Sequence, residues 1–239
     1  MISNSIDVGV ARATLQRLGR VQLREYLQED AATTIERCLL EDVPWNLGIR
    51  ENEENVTLRA EELAALDPPA HKALLERVQH AARGQYAFAY ENYMMIQAYK
   101  RGYDPGLLLH PLLEFLNSEE HIAFLHALTG DTRIRRVNAQ ATRYRPGHFL
   151  KLHNDSHASD GYLYAYVLNL SRDWNADWGG LLQFISATGA VEQTFVPVWN
   201  SLSLFRVPTF HAVSLVAPWA ERPRLAITGW YQEAARPVP

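Results

Sequence analysis

Apolar residues follow two different periods along the chain. From Ala11 to about Arg83 they recur at helical spacing: Leu15, Leu18, Val21, Leu23, Tyr26 and Leu27 form one stripe, and Ala31, Ile35 and Leu39 continue it at intervals of four. Pro44 ends that pattern, since a proline cannot donate to a helix and restricts the residue before it. A second helix is predicted from near Pro69 through Ala73, Leu74, Leu75, Val78 and Ala81. A third follows Ser118, a residue suited to cap a helix N-terminus, with Ile122, Leu125 and Leu128 as its stripe and Gly130 as its stop. Beyond Thr132 the period becomes two: Val137, Ala139, Ala141 and Arg143 alternate with Asn138, Gln140 and Thr142. Short segments rich in β-branched and aromatic residues follow at 162–170, 181–185, 193–196, 202–207 and 225–231. Clusters of turn formers separate them, among them Arg145-Pro146-Gly147 and Trp178-Gly179-Gly180. Helices first and closely spaced strands afterwards predict an α+β protein, a β-sandwich or barrel with helices packed outside it. The acidic run Glu51-Asn52-Glu53-Glu54 reads as a solvated loop, and the aromatic segment 86–99 fits strand or helix equally.

Composition narrows the class. The 239 residues are 47% apolar and 21% charged, ordinary globular values that exclude a disordered or fibrous chain. No repeat or linker divides the sequence, so a single domain over 1–239 is expected, with about 1–130 as mainly helical support and about 131–239 as the β core. A formal charge of −4 offers no basic surface of the kind a phosphate backbone needs, and direct nucleic-acid binding is not expected. The lone Cys38 rules out an intrachain disulfide framework and any multi-cysteine metal cluster. The first twenty residues hold no apolar run of signal-peptide or membrane-span length; Arg12, Arg17 and Arg20 fit an amphipathic helix better than a transit peptide, and a cytoplasmic location is the expectation.

Five of the nine histidines lie in or beside the helical segments and need no functional reading. His153-Asn154-Asp155 ends a predicted strand, where residues two apart face the same side, so His153 and Asp155 would point into one cavity. A third ligand would come from another strand, and His211, after the apolar run ending Val207-Pro208-Thr209-Phe210, is the natural candidate. Two histidines and one carboxylate on one face suit Fe(II) with open positions. Taken alone, the triplet is a weak signal, and an exposed polar turn is the more ordinary reading. His157, four residues past His153, is a rival ligand. Farther on, Arg224, Ala226, Thr228 and Trp230 share a strand face. An arginine inside a barrel needs an anion, whereas one at its mouth needs only water or an acid such as Glu221; spacing leaves both open.

In combination and in order, His153-Asn154-Asp155, Tyr166-Val167-Leu168-Asn169, Trp178-Gly179-Gly180-Leu181-Leu182, Pro208–Val213 and Arg224–Tyr231 resemble the 2-oxoglutarate- and Fe(II)-dependent dioxygenases, prolyl-hydroxylase-like branch. The resemblance covers about 137–231, two-fifths of the chain, and leaves the helical half without a matching motif. It implies a double-stranded β-helix, or jelly-roll, core with N-terminal supporting helices. It implies His153, Asp155 and His211 as iron ligands, and Arg224 as partner of the distal carboxylate of 2-oxoglutarate, with Tyr144 hydrogen-bonding the same group. Val167 stands where related sequences can have a tyrosine, so that role falls on Tyr144 or Tyr164; Arg222 is a rival to Arg224, disfavoured by Pro223.

The resemblance further implies Fe(II), 2-oxoglutarate as cosubstrate and O2, with ascorbate as an activator. The expected reaction is hydroxylation of a C–H bond, in the first instance of a prolyl residue in a protein or peptide, with a small metabolite as the other substrate class. Succinate and CO2 are the expected co-products, and no membrane association is expected. Two readings compete: a non-catalytic jelly-roll module that senses a small acid or metal, and a hydrolase built on a histidine-ligated metal. Tyr86, Phe88, Tyr90 and Tyr93 either flank the entrance or belong to ordinary core packing.

Overall fold

A computed structural model describes residues 1–51, 53–156 and 161–233. The predicted helices are present. The first, α1 (Val8–Leu18), is capped by the Asp7 carboxylate, which accepts from the Val10 N–H. It ends at Gly19, whose left-handed φ of 70° lets its N–H reach the Leu15 carbonyl. Because of that stop, the stripe read as helix through Leu27 is in fact a helix followed by an edge strand, β1 (Arg20–Leu23). α2 (Glu29–Glu41) follows. Of the acidic run read as a loop, Glu51 ends one strand, β2 (Asn46–Glu51), and Glu54 begins its partner, β3 (Glu54–Leu58). Next come α3 (Ala60–Ala64) and α4 (Pro68–Ala81). The ambiguous aromatic segment divides into β4 (Phe88–Tyr93) and α5 (Met95–Arg101), followed by α6 (Leu109–Leu116). α7 (Glu119–Thr129) begins at Ser118, whose hydroxyl accepts from His121 N–H, and stops at the left-handed Gly130.

The remaining strands are β5 (Arg136–Val137), β6 (Gln140–Tyr144), β7 (Phe149–His153), β8 (Tyr162–Asn169), β9 (Leu182–Ile185), β10 (Val191–Phe195), β11 (Ser201–Arg206), β12 (His211–Val213) and β13 (Arg224–Gln232). All pairings are antiparallel, and the continuous order β1-β11-β8-β13-β6-β4-β7-β12-β9-β10 curls the sheet into a nearly closed jelly-roll barrel. The two edges are joined by side chains: Arg20 donates to Gln193 at 2.7 Å and to Glu192 at 2.9 Å. Thus the segment before residue 130 contributes strands as well as helices, and β4 sits between β6 and β7 in the wall of the barrel. Patterning alone could not reveal this, because β4 carries apolar residues on both faces.

The main core lies outside the barrel. Leu15, Ile35, Leu39, Leu109, Leu112, Leu125 and Leu128 from the helices pack on the outward residues Leu168, Leu204 and Ile227 of the sheet. α4 covers a second outer face through Leu74, Leu75 and Val78 against Leu47, Ile49 and Ala89. Both outer faces are therefore dry and fixed by apolar burial, which leaves the concave inside free to be polar.

Candidate functional site

The inside of the barrel is a cavity of about 540 Å³. His153 and His211 end β7 and begin β12 and are directly paired across that ladder, so their rings stand side by side with centroids 4.1 Å apart. His211 opens a strand of its own, after the loop that follows β11. Asp155 reaches the pair by a different route from the one its spacing suggests. The strand stops at His153, and Asp155 takes a left-handed φ of 56°, a conformation aspartate tolerates better than most side chains; the turn, not strand alternation, brings its carboxylate back. His153 Nε2 lies 3.3 Å from Asp155 Oδ1, and His211 Nε2 lies 3.6 Å from Oδ2. One ligand atom from each of the three residues lies within 4.8 Å of the others.

The histidines are held the same way. Nδ1 of His153 donates to the carbonyl of Lys151 at 2.9 Å, and Nδ1 of His211 donates to that of Thr209 at 2.8 Å. A carbonyl can only accept, so the proton sits on Nδ1 and Nε2 is the atom turned to the cluster, the arrangement a metal-ligating histidine requires. Burial and the adjacent His153 push the His211 imidazole down to about 4, against the pull of Asp155, so it is neutral at pH 7. Burial alone would raise the Asp155 carboxyl, but its interactions with both imidazoles outweigh that and hold it below the ordinary value. Two imidazole nitrogens and one carboxylate facing a common point fit a divalent ion of the Fe(II) type.

Arg224 begins β13 directly opposite Tyr144 on β6. It is 2% exposed, and its guanidinium carbon lies 5.1 Å from the centre of the Tyr144 ring. Among the described residues no acid pairs with it, and its Nε is buried without a hydrogen-bond partner. Burial presses the guanidinium pKa downward, with Tyr144 opposing. Glu221 is therefore not its counter-ion, and Arg224 lines the cavity. Room for it comes from Gly180, at φ +62°, where a Cβ would press to 3.3 Å from Arg224 Cδ and 3.2 Å from Trp174 and Val216. The Trp178-Gly179-Gly180 motif thus shapes the arginine's socket. An inward guanidinium with no acid partner fits a carboxylate bound from solution.

The alternatives separate. Arg222 is exposed and paired with Asp173 at 3.2 Å, and Tyr164 is not part of the cavity wall, whereas Tyr144 is. His157 lies outside the described residues. Tyr86, Phe88 and Tyr90 line the cavity, while Tyr93 turns to the outer core and donates to Asp104 at 2.9 Å. Trp230 and Thr228 line the cavity as the shared strand face requires, and the indole of Trp230 joins the imidazoles in lowering the Asp155 carboxyl. Spacing gives no hint of Gly180 or of the carbonyls of Lys151 and Thr209.

Residues 139–232 match the 2OG-Fe(II) oxygenase superfamily. The match spans about two-fifths of the chain and supports a 2OG-Fe(II) oxygenase. No curated protein matches it in sequence. Among solved structures, a Pseudomonas putida prolyl-4-hydroxylase is similar at TM-score 0.60 and 19% identity, over 95% of this chain and 99% of that one. A prolyl hydroxylase from Trichoplax adhaerens, in complex with a hypoxia inducible factor oxygen degradation domain peptide fragment, is similar at TM-score 0.62 and 16% identity, over 95% and 89%. An oxidoreductase of the 2OG-Fe(II) oxygenase family from Burkholderia pseudomallei gives 0.60 and 15%, over 98% and 94%. At these identities the likeness is one of fold. It covers the N-terminal half as well, so the strands and helices before residue 139 share the fold of those structures. None of the chain's helices is long and apolar enough to cross a membrane among the described residues.

Proposed function

We propose that this oxygenase hydroxylates a C–H bond of a prolyl residue in a protein or peptide, consuming 2-oxoglutarate and O2 and releasing succinate and CO2. The observation that carries the cosubstrate is Arg224, a buried cation without an acid partner in the same cavity as the His153–Asp155–His211 cluster. His153, Asp155 and His211 would hold Fe(II), and the bound metal would supply the oxidising chemistry. Arg224 would take the distal carboxylate in a bidentate pair, which orients the diacid and selects it over keto acids lacking that group. The dry outer cores hold in place the strands that carry His153 and His211.

A peptide substrate is supported by the mouth of the cavity. Tyr86, half exposed, and Phe210 stand there with Leu152 and Asn154, and the Tyr86 ring is 6.0 Å from that of His153. Arg224 is the only lysine or arginine in the cavity wall among the described residues. Within the cavity wall, a free amino acid or second small diacid would bring a carboxylate that Arg224, already engaged, could not receive. A neutral prolyl ring between aromatic faces meets no such cost.

The test is turnover of the purified protein with Fe(II), 2-oxoglutarate and ascorbate against a proline-containing peptide library. Succinate formation stimulated by a peptide, a +16 Da product and incorporation of one atom from ¹⁸O2 are expected. Peptide-stimulated turnover with the label at a residue other than proline would change the substrate assignment. Binding of metal and 2-oxoglutarate without succinate under any condition would instead favour a sensor module.

A further inference from the structure

The sheet places three side chains in one row across three neighbouring strands. Arg224 on β13 is the register partner of Tyr144 on β6. On the other side of β6, Glu91 of β4 pairs with Arg143, so Tyr90 falls next to Tyr144 in the row. The Tyr90 and Tyr144 rings are stacked, 5.1 Å apart and inclined by only 12°, and the Arg224 guanidinium lies 5.1 Å from the Tyr144 centroid. The series continues outward through Phe88, 5.5 Å from Tyr90, and Tyr86, 6.1 Å from Phe88. A ladder of rings therefore runs from the mouth of the cavity to the buried cation.

We propose that Tyr90 is a positioning residue for 2-oxoglutarate: it clamps the Tyr144 ring, whose π face in turn fixes the guanidinium of Arg224 in the orientation that receives the distal carboxylate. This rests on the reading of Arg224 as the cosubstrate anchor. Three features support it. Arg224 has no hydrogen-bonded acid to orient it, so contact with the ring face is the interaction that sets its plane. Tyr144 is buried with Val213 and Val216, and Tyr90 packs against that cluster beside Leu150 and Trp174, so the Tyr144 ring is held on the face opposite the cation by the ring of Tyr90. Val167, on the strand beside β13, offers no hydroxyl to the carboxylate, so the aim of the one cationic fork in the cavity wall matters the more. Tyr144 then acts through its ring and not its hydroxyl, and part of the cosubstrate site is supplied by β4, outside the segment that matches the oxygenase superfamily.

The experiment is calorimetry on Mn(II)-loaded protein with 2-oxoglutarate and, separately, pyruvate, which shares the keto acid but has no distal carboxylate. Mn(II) affinity is measured for each variant. Tyr90→Leu should weaken 2-oxoglutarate binding about tenfold, part of the roughly thirtyfold that outright loss of a desolvated cation–π contact would cost, while Mn(II) and pyruvate affinities stay within twofold. Tyr90→Phe and Tyr144→Phe, which keep the rings, should bind 2-oxoglutarate within threefold of the unmodified protein. Should Tyr90→Leu not fold, Tyr144→Phe still decides: a loss beyond tenfold there would make the hydroxyl the contact and overturn the proposal. Equal weakening of pyruvate and 2-oxoglutarate in Tyr90→Leu, or no weakening of either, would also overturn it. Failure of the unmodified Mn(II) protein to bind 2-oxoglutarate would instead remove the cosubstrate reading beneath it.

Discussion

Replacing Arg224 by methionine should make the protein more stable and less useful at once. In the absence of an anion Arg224 is a cation 2% exposed with no acid beside it, held between the Tyr144 ring and the socket left by Gly180. Such a charge is a cost to the fold, and methionine retains much of the unbranched stem that fills the socket while removing the charge. Replacing buried ionic groups by apolar ones of similar volume stabilises proteins by about 1–4 kcal/mol, and an unpartnered charge belongs toward the upper part of that range. For a chain of this size each kcal/mol moves the melting midpoint by about 2–4 °C, so a rise of several degrees is expected. The unmodified protein recovers the cost on binding. With Mn(II) present and 2-oxoglutarate at about a hundred times its Kd, linkage adds about 2.7 kcal/mol, or roughly 5–10 °C. Thermal scans of both proteins, with and without 2-oxoglutarate at fixed Mn(II), should therefore show opposite responses. Arg224→Met melts higher without the diacid and does not move when it is added, while the unmodified protein starts lower and moves up. The reasoning is refuted if Arg224→Met melts lower without 2-oxoglutarate and still shifts upward with it, because that pattern requires an internal partner for Arg224 and a different anchor for the diacid.

Alanine at His153, Asp155 or His211 should cost at least tenfold in Mn(II) or Fe(II) affinity under anaerobic titration with the far-UV circular dichroism unchanged, and His157→Ala should leave affinity intact; the reverse ranking would move the metal site. Gly180→Ala places a Cβ at φ +62° against Arg224 Cδ, Trp174 and Val216, so urea unfolding should show a loss of about 1–3 kcal/mol and calorimetry a weaker 2-oxoglutarate complex; unchanged values would mean that the socket yields freely. His121, buried between the Tyr26 hydroxyl and the Leu116 carbonyl, is pushed by burial down to about 4. Between about pH 6.5 and 4 the unfolded chain takes up a proton there that the folded one refuses, so stability falls by about 3 kcal/mol as pH drops through that window; His121→Gln should remove this share of the slope, measured by urea unfolding at each pH.

Helix termini were legible where a local rule was read. Ser118 and Gly130 each act within one turn, through a side-chain cap and a left-handed stop, and the second and third predicted helices lie where the apolar stripes place them; Asp7 and Gly19 obey the same rules, but the stripe running past them hid the first helix's end. The split of the first stripe into α1 and β1 was not legible. Leu23 and Leu27 satisfy helical spacing, yet β1 pairs with β11, 181 positions from Gln22 at Ser203, and only that distant partner makes a strand of it. β4 was hidden for a similar reason: a strand with both faces covered, one by the core and one by the cavity, shows no alternation.

In the candidate site, the sequence by itself supplied the candidate side chains: two histidines and an aspartate in a compact order, and an arginine whose strand position left an inward and a solvent-facing placement both open. These are properties of residue type and short spacing, which the chain cannot alter by folding. Tertiary structure alone decided how they act. It set Asp155 against the imidazoles by a left-handed turn, left Arg224 without an acid by burying it among rings, and drew Tyr90 from a distant strand into the same row. Electrostatic cost and ring contact depend on what lies within a few ångströms in space, and the closing of the sheet brings together neighbours that spacing along the chain does not encode.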